Sequence, residues 1–244
     1  MYFRKEMKAA YYNSDQNNNL KLSAIMGYMQ QTSSEQLASV GQSVERMLSD
    51  GMVFILAKTN MKIYRAPACG EVISIGTAAT PTIGPRFIRE FVVDNSDGER
   101  LISCYTSWVL TDIDNHKILR PNAYPYPFRF EEPALEEEVG DIEIPKDPLD
   151  RLVVRTMDRD VWYSFLDNNA HVNNSVYADF ALDALPYQEF SARGLAVFAL
   201  NFQKEAKYGD KIEIAAIRLG DGEYKIVGTN AGNPCFEAYV KLGE

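Results

Sequence analysis

The chain has 244 residues, 46% of them apolar, enough to bury a sizeable core in one large domain or two of ordinary size, which excludes disorder as its global state. Apolar runs such as Leu195 to Leu200 fall far short of the roughly 20 residues that a bilayer crossing needs, so a soluble protein is expected. A net charge of -9, from 34 acids against 25 bases, argues against a general nucleic-acid binder.

The opening Met1-Tyr2-Phe3-Arg4-Lys5-Glu6 has neither the apolar core of a secretory signal nor the acid-poor character of a transit peptide. Cys69, Cys104 and Cys235 are an odd set with no C-x-x-C pair, which fits neither a disulfide framework nor a zinc site. A reducing cytoplasm is the expected compartment.

After a leading strand comes Asp15-Gln16-Asn17-Asn18-Asn19-Leu20-Lys21-Leu22-Ser23, then a helical pattern in which Leu22, Ile25, Met26 and Met29 recur at i, i+3, i+4 and i+7. Strand patterns follow at Met52 to Tyr64, Glu71 to Thr80, Arg86 to Val93 and Arg100 to Leu110, with Gly, Pro, Asn and Asp between them. Residues 121–150 then hold six of the eleven prolines, and nine acids against one base between Glu131 and Asp150. Proline removes a backbone donor and disfavours helix before it, so this stretch is expected to link domains at 1–120 and 151–244.

The second part repeats the first. Asp167-Asn168-Asn169-Ala170-His171-Val172-Asn173-Asn174-Ser175 matches the Asp15 string at an offset of 152, and Gly209 to Ile214 matches Gly70 to Ile75 at 139. The difference is assigned to a longer helix-to-strand connection around Gly41 to Gly51. The second helical pattern runs through Val176, Tyr177, Phe180, Ala181 and Ala184, and strands are expected at Gly194 to Lys207, Lys211 to Leu219, Tyr224 to Thr229 and Phe236 to Leu242. A strand, a long helix and a run of antiparallel strands, made twice, is an α+β plan with each helix packed on a curved sheet.

There are only two histidines. His116 sits in a polar, turn-like string, whereas His171 lies just before a predicted helix, where free N–H groups and the helix dipole favour a developing negative charge. Asp and Asn in such strings also cap helices and accept left-handed geometry, and that use needs no chemistry. The caps occur in both repeats and the imidazole only in the second. Asp167, Asn169 and, at the end of a long apolar strand, Glu205 are its candidate partners. Strand alternation sets Glu205 on the face of Asn201 and Gln203, so it reaches the His171 site only through a bulge or at the strand's end.

The string Asp167-x-Asn169-x-His171-Val172-Asn173-Asn174, followed by a strand carrying a basic residue and Glu205, resembles the catalytic half of the acyl-acyl carrier protein thioesterases, whose chains hold two tandem hotdog domains. The resemblance spans nearly the whole chain. It implies a pseudo-dimer of hotdog units, the first a degenerate one that shapes an acyl pocket with Met26, Tyr28 and Met29 as wall residues, the second catalytic. In plant members a Cys follows the Glu; here Ala206 stands there.

The implied reaction hydrolyses fatty acyl thioesters of acyl carrier protein to free fatty acid and the carrier's thiol. Asp167 is expected to attack or to activate water with His171. Asn169 would hold substrate or orient His171, Glu205 would orient water or tune the imidazole, and the N–H groups of Val172, Asn173 and Asn174 would receive the oxyanion. No metal or nucleotide cofactor is implied, since ligand spacing and phosphate-loop motifs are absent; the phosphopantetheine arm arrives with the substrate. The first repeat has Asn19, Arg65 and Ala66 where the second has His171, Lys204 and Glu205, and should be silent. For an acidic carrier, Lys5, Lys8, Lys58, Lys62, Arg65, Arg86 and Arg89 are candidate docking residues. An acyl-CoA thioesterase, an acyl-binding module without catalysis and a hotdog dehydratase are the competing readings, and a homodimer is compatible with the sequence.

Overall fold

The computed structural model describes residues 3–115, 117–126, 139–146 and 152–244. His116 and most of the acidic linker lie outside them. Among the described residues, ten strands form one antiparallel sheet in the order β1-β3-β4-β5-β2-β7-β10-β9-β8-β6. The first half supplies β1 (Phe3–Lys8), β2 (Met52–Ile63), β3 (Val72–Ile83), β4 (Arg86–Asn95) and β5 (Arg100–Asp112). The second supplies β6 (Leu152–Asp160), β7 (Leu195–Phe202), β8 (Lys211–Gly220), β9 (Glu223–Asn230) and β10 (Asn233–Leu242) in the mirrored order.

The halves join where β2 pairs with β7, from Lys58 opposite Asn201 to Lys62 opposite Val197. At the centre Asn60 faces Ala199, its own counterpart at the offset of 139. The pseudo-twofold axis therefore passes between these two residues, and the sheet runs unbroken across it.

Helix α1 (Leu22–Ser39) buries Leu22, Ile25, Met26 and Met29 as its periodicity predicts. The long helix expected in the second half is divided into α3 (Val176–Asp183) and α4 (Tyr187–Arg193). Pro186 is the reason: it disfavours helical geometry at Leu185 and cannot donate into the preceding turn. The extra residues of the first half form α2 (Val44–Ser49), capped by the Ser43 side chain, within the connection that the offsets pointed to. One buried cluster runs through both halves, from Ile25 and Met61 to Phe180, Phe198 and Phe236.

The described linker residues pack on the first half rather than standing apart from it. Tyr124 is buried with Met47, Met52, Phe87 and Leu110, and Asp141 pairs with both Lys58 and Arg86 at 2.8 Å.

Candidate active site

The segment from Asp167 to Val172 is a tight turn closed by its own side chain. Asp167 N–H donates to His171 O at 2.8 Å, Ala170 N–H donates to Asp167 O at 3.1 Å, and Ala170 takes a left-handed φ of 59°. Asp167 Oδ1 accepts the N–H of Asn169 at 2.8 Å and that of His171 at 3.4 Å. The first half builds the same turn: Asp15 Oδ1 accepts from Asn17 and Asn19, both at 2.9 Å, and Asn18 has a φ of 63°. The Asp and Asn residues of the motif thus form the turn in both repeats. One oxygen of Asp167 is committed to it, and no described residue engages Oδ2.

Glu205 follows an irregular strand end. The N–H groups of Gln203 and Lys204 both donate to Cys235 O, at 3.0 and 3.1 Å, which ends β7 in a bulge. The chain then pairs with the turn: Val172 N–H donates to Ala206 O at 2.9 Å, and His171 stands directly opposite Lys207. Opposed residues share a face and neighbours alternate. Glu205 and Lys207 are exposed, His171 is half-buried, and Ala206 and Val172 are buried beneath them. His171, Glu205 and Lys207 therefore project from one face. In the first half the corresponding pair is Asn19 opposite Ala68, with Ala66 in the place of Glu205. Asn169 is exposed at the tip of the turn.

The expected oxyanion donors need correction. Val172 N–H is taken by Ala206 O, and Asn173 N–H donates to Phe165 O at 2.9 Å. The helix begins only at Val176, with Ser175 before it and the Asn173 side chain accepting Ser175 N–H and Oγ. Among the described residues, nothing accepts the N–H of Asn174, which leaves it as the available donor of the three.

Asn174 and Ser175 border a narrow crevice between α1 and the sheet. Met26, Met29, Met61, Phe91, Cys104 and Trp108 supply most of its wall. Tyr28, the third expected wall residue, is not part of it; its hydroxyl accepts from Asn13 instead. The cavity holds about 30 Å³, room for roughly one water.

Burial pushes the thiols of Cys104 and Cys235 up and away from the reactive thiolate. No cluster of three or more His, Cys, Asp or Glu side chains suited to a metal occurs among the described residues. Most of the expected docking cations have other roles: Lys5 pairs with Glu35, Arg65 with Glu71, and Lys58 and Arg86 with Asp141. Arg89 is buried against Gln36 and Thr77. Lys8 and Lys62 have no acidic partner among the described residues.

Residues 1–122 match the family of the acyl-ACP thioesterase N-terminal domain, and residues 152–231 that of the C-terminal domain. The chain belongs to the acyl-ACP thioesterase family. It is 24% identical over 231 residues to oleoyl-acyl carrier protein thioesterase 1 of Arabidopsis thaliana, covering 86% of this chain and 62% of that protein. It is 25% identical over 250 residues to the dodecanoyl-[acyl-carrier-protein] hydrolase of Cinnamomum camphora, covering 93% and 62%. The chain thus spans about three-fifths of the length of these curated relatives. Two solved thioesterases share the whole fold. One from Bacteroides thetaiotaomicron has a TM-score of 0.84 at 17% identity, covering 99% of this chain and 97% of that one. The 12:0-ACP thioesterase of Umbellularia californica has 0.84 at 18%, covering 99% and 96%. The fold is α+β, as the repeat implied, and that of the tandem hotdog enzymes, as the resemblance implied.

Two residues beside this candidate site are not marked by the sequence motif. Lys207 was accessible by extending the 139 offset two residues past Glu205, where it falls opposite Ala68. Tyr177, which lies under the site, looked like any other core position of a helix.

Proposed function

We propose that this protein hydrolyses fatty acyl thioesters of acyl carrier protein, releasing the fatty acid and the carrier with its free phosphopantetheine thiol. The observation that carries this reading is the single exposed face holding His171 and Glu205, present in one repeat only, three residues from an apolar crevice that begins at Asn174.

The acyl chain enters the crevice by displacing the flexible side chains of Met26 and Met29, which sets the thioester carbonyl near Asn174. His171 takes a proton from water as the water oxygen attacks the carbonyl carbon. Asn174 N–H donates to the oxyanion. The carboxylates of Glu205 and Asp167, the latter through Oδ2, favour the imidazolium, and Asn169 at the rim holds the arm of the carrier. The C–S bond then breaks, and sulfur receives the proton that His171 collected. The first half, with Asn19 and Ala66 at the equivalent points, contributes crevice wall and no chemistry. No metal or organic cofactor enters this scheme. The three unpaired cysteines suit a reducing compartment, and we assign the protein to the cytoplasm. No helix among the described residues is long and apolar enough to cross a membrane.

Release of free thiol from a series of acyl-acyl carrier proteins tests the reading, with circular dichroism to verify folding. The parent is expected to release thiol and a folded His171→Ala variant to lose at least about a hundredfold in rate. Acyl binding without release by the parent would overturn it.

A further inference from the structure

The comparison of the two repeats marks one more residue. The turn that carries Lys207 is built identically in both halves. Lys207 N–H donates to Asp210 Oδ2 at 2.8 Å and Asp210 N–H to Lys207 O at 3.0 Å. Ala68 N–H donates to Glu71 Oε2 at 2.8 Å and Glu71 N–H to Ala68 O at 3.1 Å. The backbone therefore needs no lysine at this point, and an alanine serves in the silent half. Three positions of the exposed face change together between the repeats, Asn19 to His171, Ala66 to Glu205 and Ala68 to Lys207, while the buried positions beneath them stay apolar as Leu20 and Val172, Pro67 and Ala206.

We propose that Lys207 is the third member of the reacting face, and that its ammonium stabilises the departing thiolate of the carrier's arm. This rests on the thioester-hydrolase reading above. The pairing of Val172 N–H with Ala206 O beside the bridge makes His171 and Lys207 a non-hydrogen-bonded antiparallel pair. Such a pair sets Cα atoms about 4.5 Å apart with side chains close together. A lysine that starts so near the imidazole reaches the thioester itself, whereas the phosphate lies at the far end of the arm. No acid pairs with this ammonium among the described residues, so its charge is available. As the C–S bond breaks, its electron pair stays on sulfur and the proton held by His171 passes to it. Lys207 keeps its own proton throughout and acts by charge alone.

The test varies the leaving thiol at constant acyl chain, using the N-acetylcysteamine thioester, whose alkyl thiol leaves poorly and which has no phosphate, and an aryl thioester with an acidic thiol. For Lys207→Met we expect kcat on the alkyl thioester to fall roughly tenfold to a hundredfold at unchanged KM. On the aryl thioester, whose thiolate needs little help, the loss should shrink to about twofold or less. Lys207→Arg, which keeps the charge, should recover most of the alkyl activity. A loss equal on both thioesters, no loss on either, or a rise in KM confined to the carrier-bound substrate would overturn the assignment and leave the hydrolase reading standing. A parent that cleaves neither thioester nor any acyl carrier protein overturns both.

Discussion

The hydroxyl of Tyr177 accepts the N–H of Ala206 at 3.1 Å, tying α3 to the residue between Glu205 and Lys207. The Cys235 thiol lies 3.8 Å from the same hydroxyl and donates to Lys204 O at 3.1 Å, so both sides of Glu205 are pinned from beneath. Burial pushes the Tyr177 phenol well above its ordinary range and keeps it protonated. Tyr177→Phe preserves the ring and strands a buried backbone donor. Urea unfolding should show a loss of about 1–3 kcal/mol. In the folded variant kcat should fall more than KM rises, because Glu205 loses its support; unchanged kcat in a destabilised variant would limit Tyr177 to packing.

Ala170 pays for its left-handed backbone. At φ 59° an alanine crowds its own carbonyl, while Asn18, at φ 63° in the first half, is a residue type that tolerates this region. Ala170→Asn should therefore raise stability by about 0.5–1 kcal/mol, and Asn18→Ala should lower it by a similar amount. Paired thermal melts of the two variants check the reciprocity.

The duplicated turn, the helices and the strands were legible because each obeys a local rule. Asp15 and Asp167 close turns with their own carboxylates, Leu22 to Met29 keep one face, and seven of the eight expected strands appear within three residues of their predicted ends. What was not legible depends on tertiary pairing. The second helical pattern ends at Ala184, close to the end of α3, and the long helix that the duplication implied is cut short before Pro186. The long strand expected to reach Lys207 stops at Phe202, because Gln203 and Lys204 share the Cys235 carbonyl, and beyond this bulge the chain pairs Lys207 with His171. Val172 and Asn173 offer no free N–H groups, because the helix starts only at Val176 and both donors are taken by Ala206 O and Phe165 O.

The methionine wall makes the crevice adjustable, and changing one residue should show it. Met29 is buried and lines the cavity beside Met26. Met29→Phe fills the space at a cost of about 1–3 kcal/mol. Turnover on the longest acyl chains should fall first, with the shortest least affected. Met29→Ala should destabilise by about 2–4 kcal/mol and reduce that discrimination. A chain-length series of acyl carrier substrates checks both; an unchanged profile in each variant would remove the crevice from substrate binding.

Glu189 of α4 gives the second half an acid-sensitive clasp. It accepts from Arg218 at 2.7 Å on β8 and from Tyr224 at 2.5 Å on β9, and these bonds hold its carboxyl down to about 2. The folded value lies below the unfolded one of about 4.3, so its contribution is complete above the unfolded pKa and disappears as pH falls through about 2. The carboxylate is partly exposed, which limits the contribution to about 1 kcal/mol. Glu189→Gln should be less stable than the parent at pH 7, and the gap should close between about pH 4.5 and 2. A gap that stays constant over that range would assign the effect to packing.

Asp15 and Asp167 make the same turn bonds, so substituting each by asparagine separates structure from chemistry. Asparagine Oδ1 accepts the same two N–H groups, and neither Asp15→Asn nor Asp167→Asn should cost more than about 1 kcal/mol in urea unfolding. What the substitution removes is negative charge. In the first half Asn19 occupies the point that His171 holds in the second, and turnover should be unchanged. In the second half the proposed scheme gives Asp167 a part in the reaction beside His171, and Asp167→Asn should lose at least about tenfold in kcat while retaining parental stability. Equal activity of the two folded variants would reduce Asp167 to a turn residue and leave Glu205 as the carboxylate that serves His171.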